Sequence, residues 1–130
     1  KCPNLNVLSL VQCDELMDIS SVGSCLNLIS LTINGCINLA SLSGVQNCLA
    51  LKDLSANDCI GLKSLKELST CINLRRLDIN RSSFIYDITA LTNCRKLIYL
   101  DISYCRLITS VRELSFIPDL FIEGCGTLIM

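Results

Sequence analysis

The sequence predicts an α/β-type solenoid, a right-handed superhelix with short parallel strands on its inner face and tight three-residue turns on its outer one. Three observations lead there. From Cys2 to Cys71, cysteines recur at alternating spacings of 11 and 12, and the next interval, to Cys94, is 23 with Ser82 at the skipped site. That is an internal repeat with a 23-residue period. Apolar residues recur at offsets 3, 6, 8, 11, 14, 17 and 20 from each opening cysteine (Cys2, Cys25, Cys48, Cys71, Cys94), filling 39 of 40 such positions with Ser82 the exception. All 23 charged residues lie elsewhere, as a set of buried columns requires.

The strand comes first. Offsets 6 and 8 alternate with polar neighbours, as in Leu77-Asp78-Ile79 and Leu100-Asp101-Ile102. That is the period of a strand buried on one face. Offsets 11 to 20 then advance by three, the rhythm of 3₁₀ turns and too short a run for a long helix. One such unit cannot bury its own apolar edge, but stacked copies merge each column into a ladder. The strands must then run parallel, about 4.8 Å apart, with right-handed crossovers.

The sixth repeat is short. Leu120-Phe121-Ile122-Glu123-Gly124-Cys125 matches Leu31-Thr32-Ile33-Asn34-Gly35-Cys36, but three residues are missing around Ser115 to Asp119. The expectation is a repeat starting near Leu114, a shortened return and a local change of curvature. Cys2, Leu5, Leu8, Cys125 and Leu128 have the pattern of interior residues. Residues 1–130 therefore read as a single array cut from a longer one without its caps.

The cysteines admit three readings. As structural groups, Cys13, Cys36, Cys59, Cys105 and Cys125 form one column at the strand end. Cys2, Cys25, Cys48, Cys71 and Cys94 form a second at the far turn, with Leu114 in its sixth place. A thiol is a small hydrophobe with a weak donor and suits both. Ser82 and Leu114 keep size or apolarity and would break disulfide pairs within a column, the second reading. The third, zinc, lacks both a C-x-x-C pair and any histidine. So many unpaired thiols point to an intracellular, reducing compartment.

The stretch Leu28-x-x-Leu31-x-Ile33-x-x-Cys36-x-x-Leu39 resembles the leucine-rich repeat, whose signature takes Asn or Cys at the Cys36 position. The resemblance covers essentially the whole chain. The 23-residue length is similar to the short repeats of phosphatase-regulatory subunits, and the Cys-x-Asn-Leu openings at Cys2, Cys25 and Cys71 resemble those of trypanosomatid repeat proteins. The resemblance implies a concave sheet, a cysteine buried against the loop backbone at Cys36 and its equivalents, and a protein-interaction role.

On that concave face, offset 5 carries Val7, Ser30, Asp53, Arg76, Tyr99 and Asp119, and offset 7 carries Ser9, Thr32, Ser55, Asp78, Asp101 and Phe121. Offset 9 carries Val11, Asn34, Asn57, Asn80, Ser103 and Glu123, and offset 10 adds Asp58, Arg81 and Tyr104. No charge occurs between Ile19 and Leu51, whereas the third to fifth repeats combine charge with tyrosine. The candidate contact patch is therefore Asp53, Arg76, Asp78, Arg81, Tyr99, Asp101 and Tyr104. Tyrosine and arginine are enriched where proteins meet. The alternative is a solvated surface with cross-strand ion pairs such as Arg76 with Asp53 or Asp101. On the outer side, Phe84 and Leu107 share an offset and form either a small apolar patch or groups tucked under their own turns.

No catalytic constellation is visible: with no histidine there is no Ser-His-Asp triad or Cys-His dyad, and no phosphate loop occurs. The expectation is a non-enzymatic interaction scaffold with a protein partner and no cofactor or metal. Two other readings stand beside it: the recognition segment of a larger ubiquitin ligase or other regulatory enzyme, and an extracellular adhesion or receptor ectodomain. Net charge is −1, and Asp78, Asp87 and Asp101 interleave with the local basic excess, which disfavours nucleic acid. The uncharged stretch holds Ser, Asn and Gly throughout and contains no 18-residue apolar run, so no membrane span is expected. Asn80-Arg81-Ser82 matches a glycosylation sequon, but Ser82 belongs to a buried column.

Overall fold

A computed structural model describes residues 2–130. Six three-residue strands form one parallel sheet in sequence order: β1 Val7–Ser9, β2 Ser30–Thr32, β3 Asp53–Ser55, β4 Arg76–Asp78, β5 Tyr99–Asp101 and β6 Asp119–Phe121. The register stacks Leu8, Leu31, Leu54, Leu77, Leu100 and Leu120 into one ladder. Their neighbours at offsets 5 and 7 face the inside of the superhelix, in the rows the repeat predicts. Pairing outlasts the strands: Gly35 N–H donates to Asn57 O at 2.8 Å and Arg81 N–H to Ser103 O at 2.9 Å.

The three-residue rhythm is a series of i→i+3 hydrogen bonds joining consecutive buried residues. In the second repeat Cys36 N–H donates to Ile33 O, Leu39 to Cys36, Val45 to Leu42 and Cys48 to Val45, at 2.9–3.3 Å. The turns lengthen into 3₁₀ helices on the outer side at Ser20–Ser24, Val45–Asn47, Lys66–Thr70, Thr89–Asn93 and Arg112–Leu114. One apolar core runs the length of the array. From Leu28 to Ile85 its ladder residues are almost wholly withdrawn from water, as are Leu91 in the same coil and Leu97 and Leu100 in the next. Column members at the ends are less covered: Cys2 is exposed, and Cys13 and Cys125 are half-buried.

Both cysteine columns are hydrogen-bonded and obey one rule. From Cys36 onward, each thiol donates to the carbonyl of the residue three before its counterpart in the previous coil. In the strand-end column Cys36 Sγ reaches Leu10 O at 3.0 Å, Cys59 reaches Ile33 O at 3.0 Å and Cys105 reaches Ile79 O at 3.1 Å. In the far-turn column Cys48 reaches Val22 O at 3.4 Å, Cys71 reaches Val45 O at 3.5 Å and Cys94 reaches Leu68 O at 3.3 Å. Several of these carbonyls already accept the backbone N–H that closes their own turn, so the thiol takes the second lone pair. Burial pushes the Cys59 and Cys94 thiols up to about 11 and those of Cys71 and Cys105 to about 12. This is the reverse of what a reactive cysteine needs.

Ser82 extends the rule rather than breaking it. Its wholly buried hydroxyl donates to Ala56 O at 2.5 Å and accepts from Cys59 N–H at 3.0 Å. The hydroxyl thus bridges a turn that other coils close directly.

The shortened coil differs from the expectation. Leu114 N–H donates to Val111 O and Ile117 N–H to Leu114 O, as Leu91 and Cys94 do one coil earlier. The return is therefore complete, and Ile117, not Leu114, occupies the cysteine column. The missing three residues are the entry turn between that column and the strand, because Leu120 follows Ile117 directly into register with Leu100.

A candidate interaction surface on the inner sheet

Immediately after each strand the backbone passes through the left-handed region. Gln12, Gly35, Asp58, Arg81, Tyr104 and Gly124, all at the same offset, have φ of 54°, 75°, 57°, 64°, 64° and 68°. For a residue with a side chain this conformation costs about 1–2 kcal/mol. The site also turns the side chain outward onto the ridge bordering the sheet. Glycine at position 124 leaves room for the Tyr104 ring, since a Cβ there would fall 2.3 Å from it and force the ring to move.

Two stacks cross the fourth to sixth coils. On the sheet, the Arg76 guanidinium lies 3.7 Å from the Tyr99 ring centre, and Tyr99 lies 5.1 Å from Phe121 at an interplanar angle of 43°. On the ridge, the Arg81 guanidinium sits 4.3 Å from the Tyr104 ring, whose hydroxyl donates to Glu123 Oε1 at 2.7 Å. That hydrogen bond to a carboxylate holds the Tyr104 hydroxyl above its ordinary pKa. Cation–π contacts at exposed sites are worth about 0.5–1 kcal/mol each, and the aromatic pair is of similar size. The stacks therefore pre-set side chains that would otherwise have to be ordered on binding.

The carboxylates divide. Asp101 is engaged within the array: Oδ1 accepts Ser103 N–H at 2.8 Å and Oδ2 accepts Asn80 Nδ2 at 3.3 Å. Asp78 Oδ1 accepts Asn80 N–H at 3.3 Å. Asp53 stands half-buried beside Arg76 in the sheet register. An asparagine ladder at offset 9 also stops here. Asn34 Oδ1 accepts from Ser55 Oγ and Asn57 N–H, both at 2.8 Å, whereas Asn57 Oδ1 is buried without a partner. Its would-be donors are replaced by Asp78, an acceptor, and by Asn80 N–H, which Asp78 already holds.

Of the residues singled out in the sequence, Arg76 with Tyr99 and Arg81 with Tyr104 are brought into contact, and Asp101 is taken up by Ser103 in its own coil and Asn80 in the one before. Phe121 and Glu123, outside the expected patch, complete the two stacks. The offset rows point to both, since each continues the row of an inner-face residue into the shortened coil. Phe84 and Leu107 are about half exposed on the outer side. Among the described residues no group of three His, Cys, Asp or Glu side chains is placed to hold a metal ion, and no helix is long and apolar enough to cross a membrane.

No family model and no curated protein matches the sequence. Solved structures do match. An internalin from Listeria monocytogenes aligns over 95% of this chain and 49% of its own, with a TM-score of 0.58 and 16% identity. The leucine-rich-repeat ectodomain of the receptor kinase SOBIR1 from Arabidopsis thaliana aligns over 92% of this chain and 69% of its own, with a TM-score of 0.62 and 19% identity. Internalin C2 from Listeria monocytogenes aligns over 96% and 64%, with a TM-score of 0.55 and 19% identity. This chain thus spans about half to two thirds of their lengths. Together with the parallel six-stranded sheet, the 3₁₀ outer turns and the strand-end column of Cys36, Cys59, Ser82 and Cys105 buried against the backbone, these likenesses identify the fold as the leucine-rich-repeat solenoid.

Proposed function

We propose that the chain is a non-catalytic recognition scaffold that binds a protein partner through its inner sheet face. The observation that carries this reading is the pair of stacks, Arg76–Tyr99–Phe121 and Arg81–Tyr104–Glu123, set side by side on the fourth to sixth coils. Arginine and tyrosine are the residue types that anchor interfaces, and here they are held in place before a partner arrives. Asp53 and Asp78 border the stacks and supply opposite charge for orientation. The structures it resembles share the fold and give the same coarse direction, without naming a partner for this chain.

The test compares proteins captured by the wild-type chain with those captured by Arg76→Ala/Tyr99→Ala/Phe121→Ala. These side chains lie outside the buried ladders, so the triple variant should keep its unfolding midpoint to within a few degrees. It should lose a partner that the wild type retains. Equal capture by both would overturn the reading. The compartment we propose is reducing and intracellular, supported by thiols that already spend their hydrogens on backbone carbonyls. Counting ten free thiols after denaturation without reductant supports it, and paired thiols would reverse it.

A further inference from the structure

The edge of the sheet through which the chain enters each strand differs from the rest of the surface. In the five full repeats, offsets 0 to 4 contain no Asp or Glu, yet they hold Lys52, Arg75, Arg95 and Lys96 in three successive coils. Arg95 is committed elsewhere, its guanidinium 4.1 Å from the Phe116 ring. The other three line one shallow groove together with Ile29, Ala50 and Asn73.

The groove is built as well as charged. Arg75 N–H donates to Lys52 O at 2.8 Å, so these two cations leave adjacent coils side by side. Like charges directly opposite one another across a sheet are destabilising, and nothing in the packing of the core calls for them. Asn73 anchors the third cation: its Nδ2 donates to Leu49 O at 2.9 Å while its Oδ1 accepts from Lys96 Nζ at 2.9 Å. The same entry turns expose an apolar ladder, with Leu26, Leu49 and Ile72 at 62%, 55% and 57% exposure. A water-facing apolar ladder beside a carboxylate-free basic groove is a two-part surface.

We propose that this edge is a second docking surface, separate from the inner face, for an acidic segment of a protein partner. The segment sets carboxylates against Lys52, Arg75 and Lys96 and an apolar side chain against Leu49 and Ile72. Charge complementarity selects an anionic occupant. The groove's lining holds no aromatic residue on which a base could stack, which sets nucleic acid aside. An ammonium pre-anchored by Asn73 sits at a fixed place beside Arg75 and Lys52, which suits the carboxylates of a defined peptide segment.

The test uses a fluorescein-labelled peptide of repeated Glu-Glu-Leu triplets, read by anisotropy against the whole 130-residue chain. The wild type should bind it, and a Lys-Lys-Leu control should not bind. Lys52→Glu/Arg75→Glu/Lys96→Glu should weaken binding by at least about tenfold, and Leu49→Ser/Ile72→Ser by about threefold or more. The charge-neutral Lys52→Gln/Arg75→Gln/Lys96→Gln variant guards against misfolding and should also weaken binding at an unfolding midpoint no lower than that of the wild type. Arg76→Ala/Tyr99→Ala should leave the peptide affinity as it is, so this surface and the inner face stand or fall separately. No binding by the wild type, or equal binding by the charge variants, would overturn the proposal. So would tighter, variant-sensitive binding of phosphatidylserine vesicles or an oligothymidine, which would make the groove a phosphate site. Loss of the peptide in Arg76→Ala/Tyr99→Ala would overturn it too, by showing one continuous surface instead of two.

Discussion

Replacing Ser82 by alanine removes one oxygen atom from the centre of the array, and the fold allows its effect to be worked out. The hydroxyl is wholly buried, donates to Ala56 O and accepts from Cys59 N–H. Alanine leaves both backbone groups unpaired in an apolar interior, and each such loss costs about 1–3 kcal/mol. Part is recoverable if the turn closes directly, as Cys36 N–H does on Ile33 O at 3.3 Å. The net expectation is a destabilisation of about 2–3 kcal/mol. With a urea slope of about 2 kcal/mol/M, the midpoint falls by about 1–1.5 M. Ser82→Cys is the informative companion. It restores the donor that the column uses elsewhere and should lose less than about 1 kcal/mol. Urea titrations followed by far-ultraviolet circular dichroism and by tyrosine fluorescence measure both. An alanine variant within about 0.5 kcal/mol of wild type, or a cysteine variant worse than alanine, would refute the bridging role.

Two further outcomes follow from the same geometry. Thiols whose folded pKa lies at about 11 or 12, above the value near 9 of a free thiol, stay protonated in the folded state while the unfolded chain ionises. Their contribution to stability is complete below pH 9 and is lost as the pH climbs toward 12, so the urea midpoint should fall from about pH 8 to about pH 10.5; a constant or rising midpoint contradicts this. Gly44 has φ of 106°, and a Cβ there would lie 2.6 Å from Ser20 O, so Gly44→Ala should destabilise by about 2–4 kcal/mol. Gly126, whose added Cβ would meet nothing nearer than 3.7 Å, is the control, and its alanine variant should stay within about 0.5 kcal/mol of wild type in the same titration.

The repeat was legible because burial in a solenoid is periodic. Leu31, Leu54 and Leu77 could be assigned to one ladder from spacing alone, and the three-residue steps correspond to real i→i+3 bonds. Two things were not legible. The position of the shortened turn depends on which backbone groups pair, and both Leu114 and Ile117 are apolar, so composition does not choose between them. The inner surface depends on side-chain partners across coils. The spacing of Asp101 gives no sign that Asn80 and Ser103 would occupy its oxygens, whereas Gly35 and Gly124 hint at the left-handed residue in only two of the coils that adopt it.

The short coil carries a lesson about how such a chain can change length. Cys125 Sγ bonds Ile102 O at a separation of 23 residues, where Cys105 and the thiols of the complete coils use 26. The difference is one turn, and one turn holds one inward-facing residue. Removing three residues therefore deletes a single rung and leaves all the others in phase, with β6 still aligned on β5. Removing one or two would rotate every later residue out of its column. In this chain, then, a coil has lost one whole three-residue turn while the columns on either side of the deletion stay continuous.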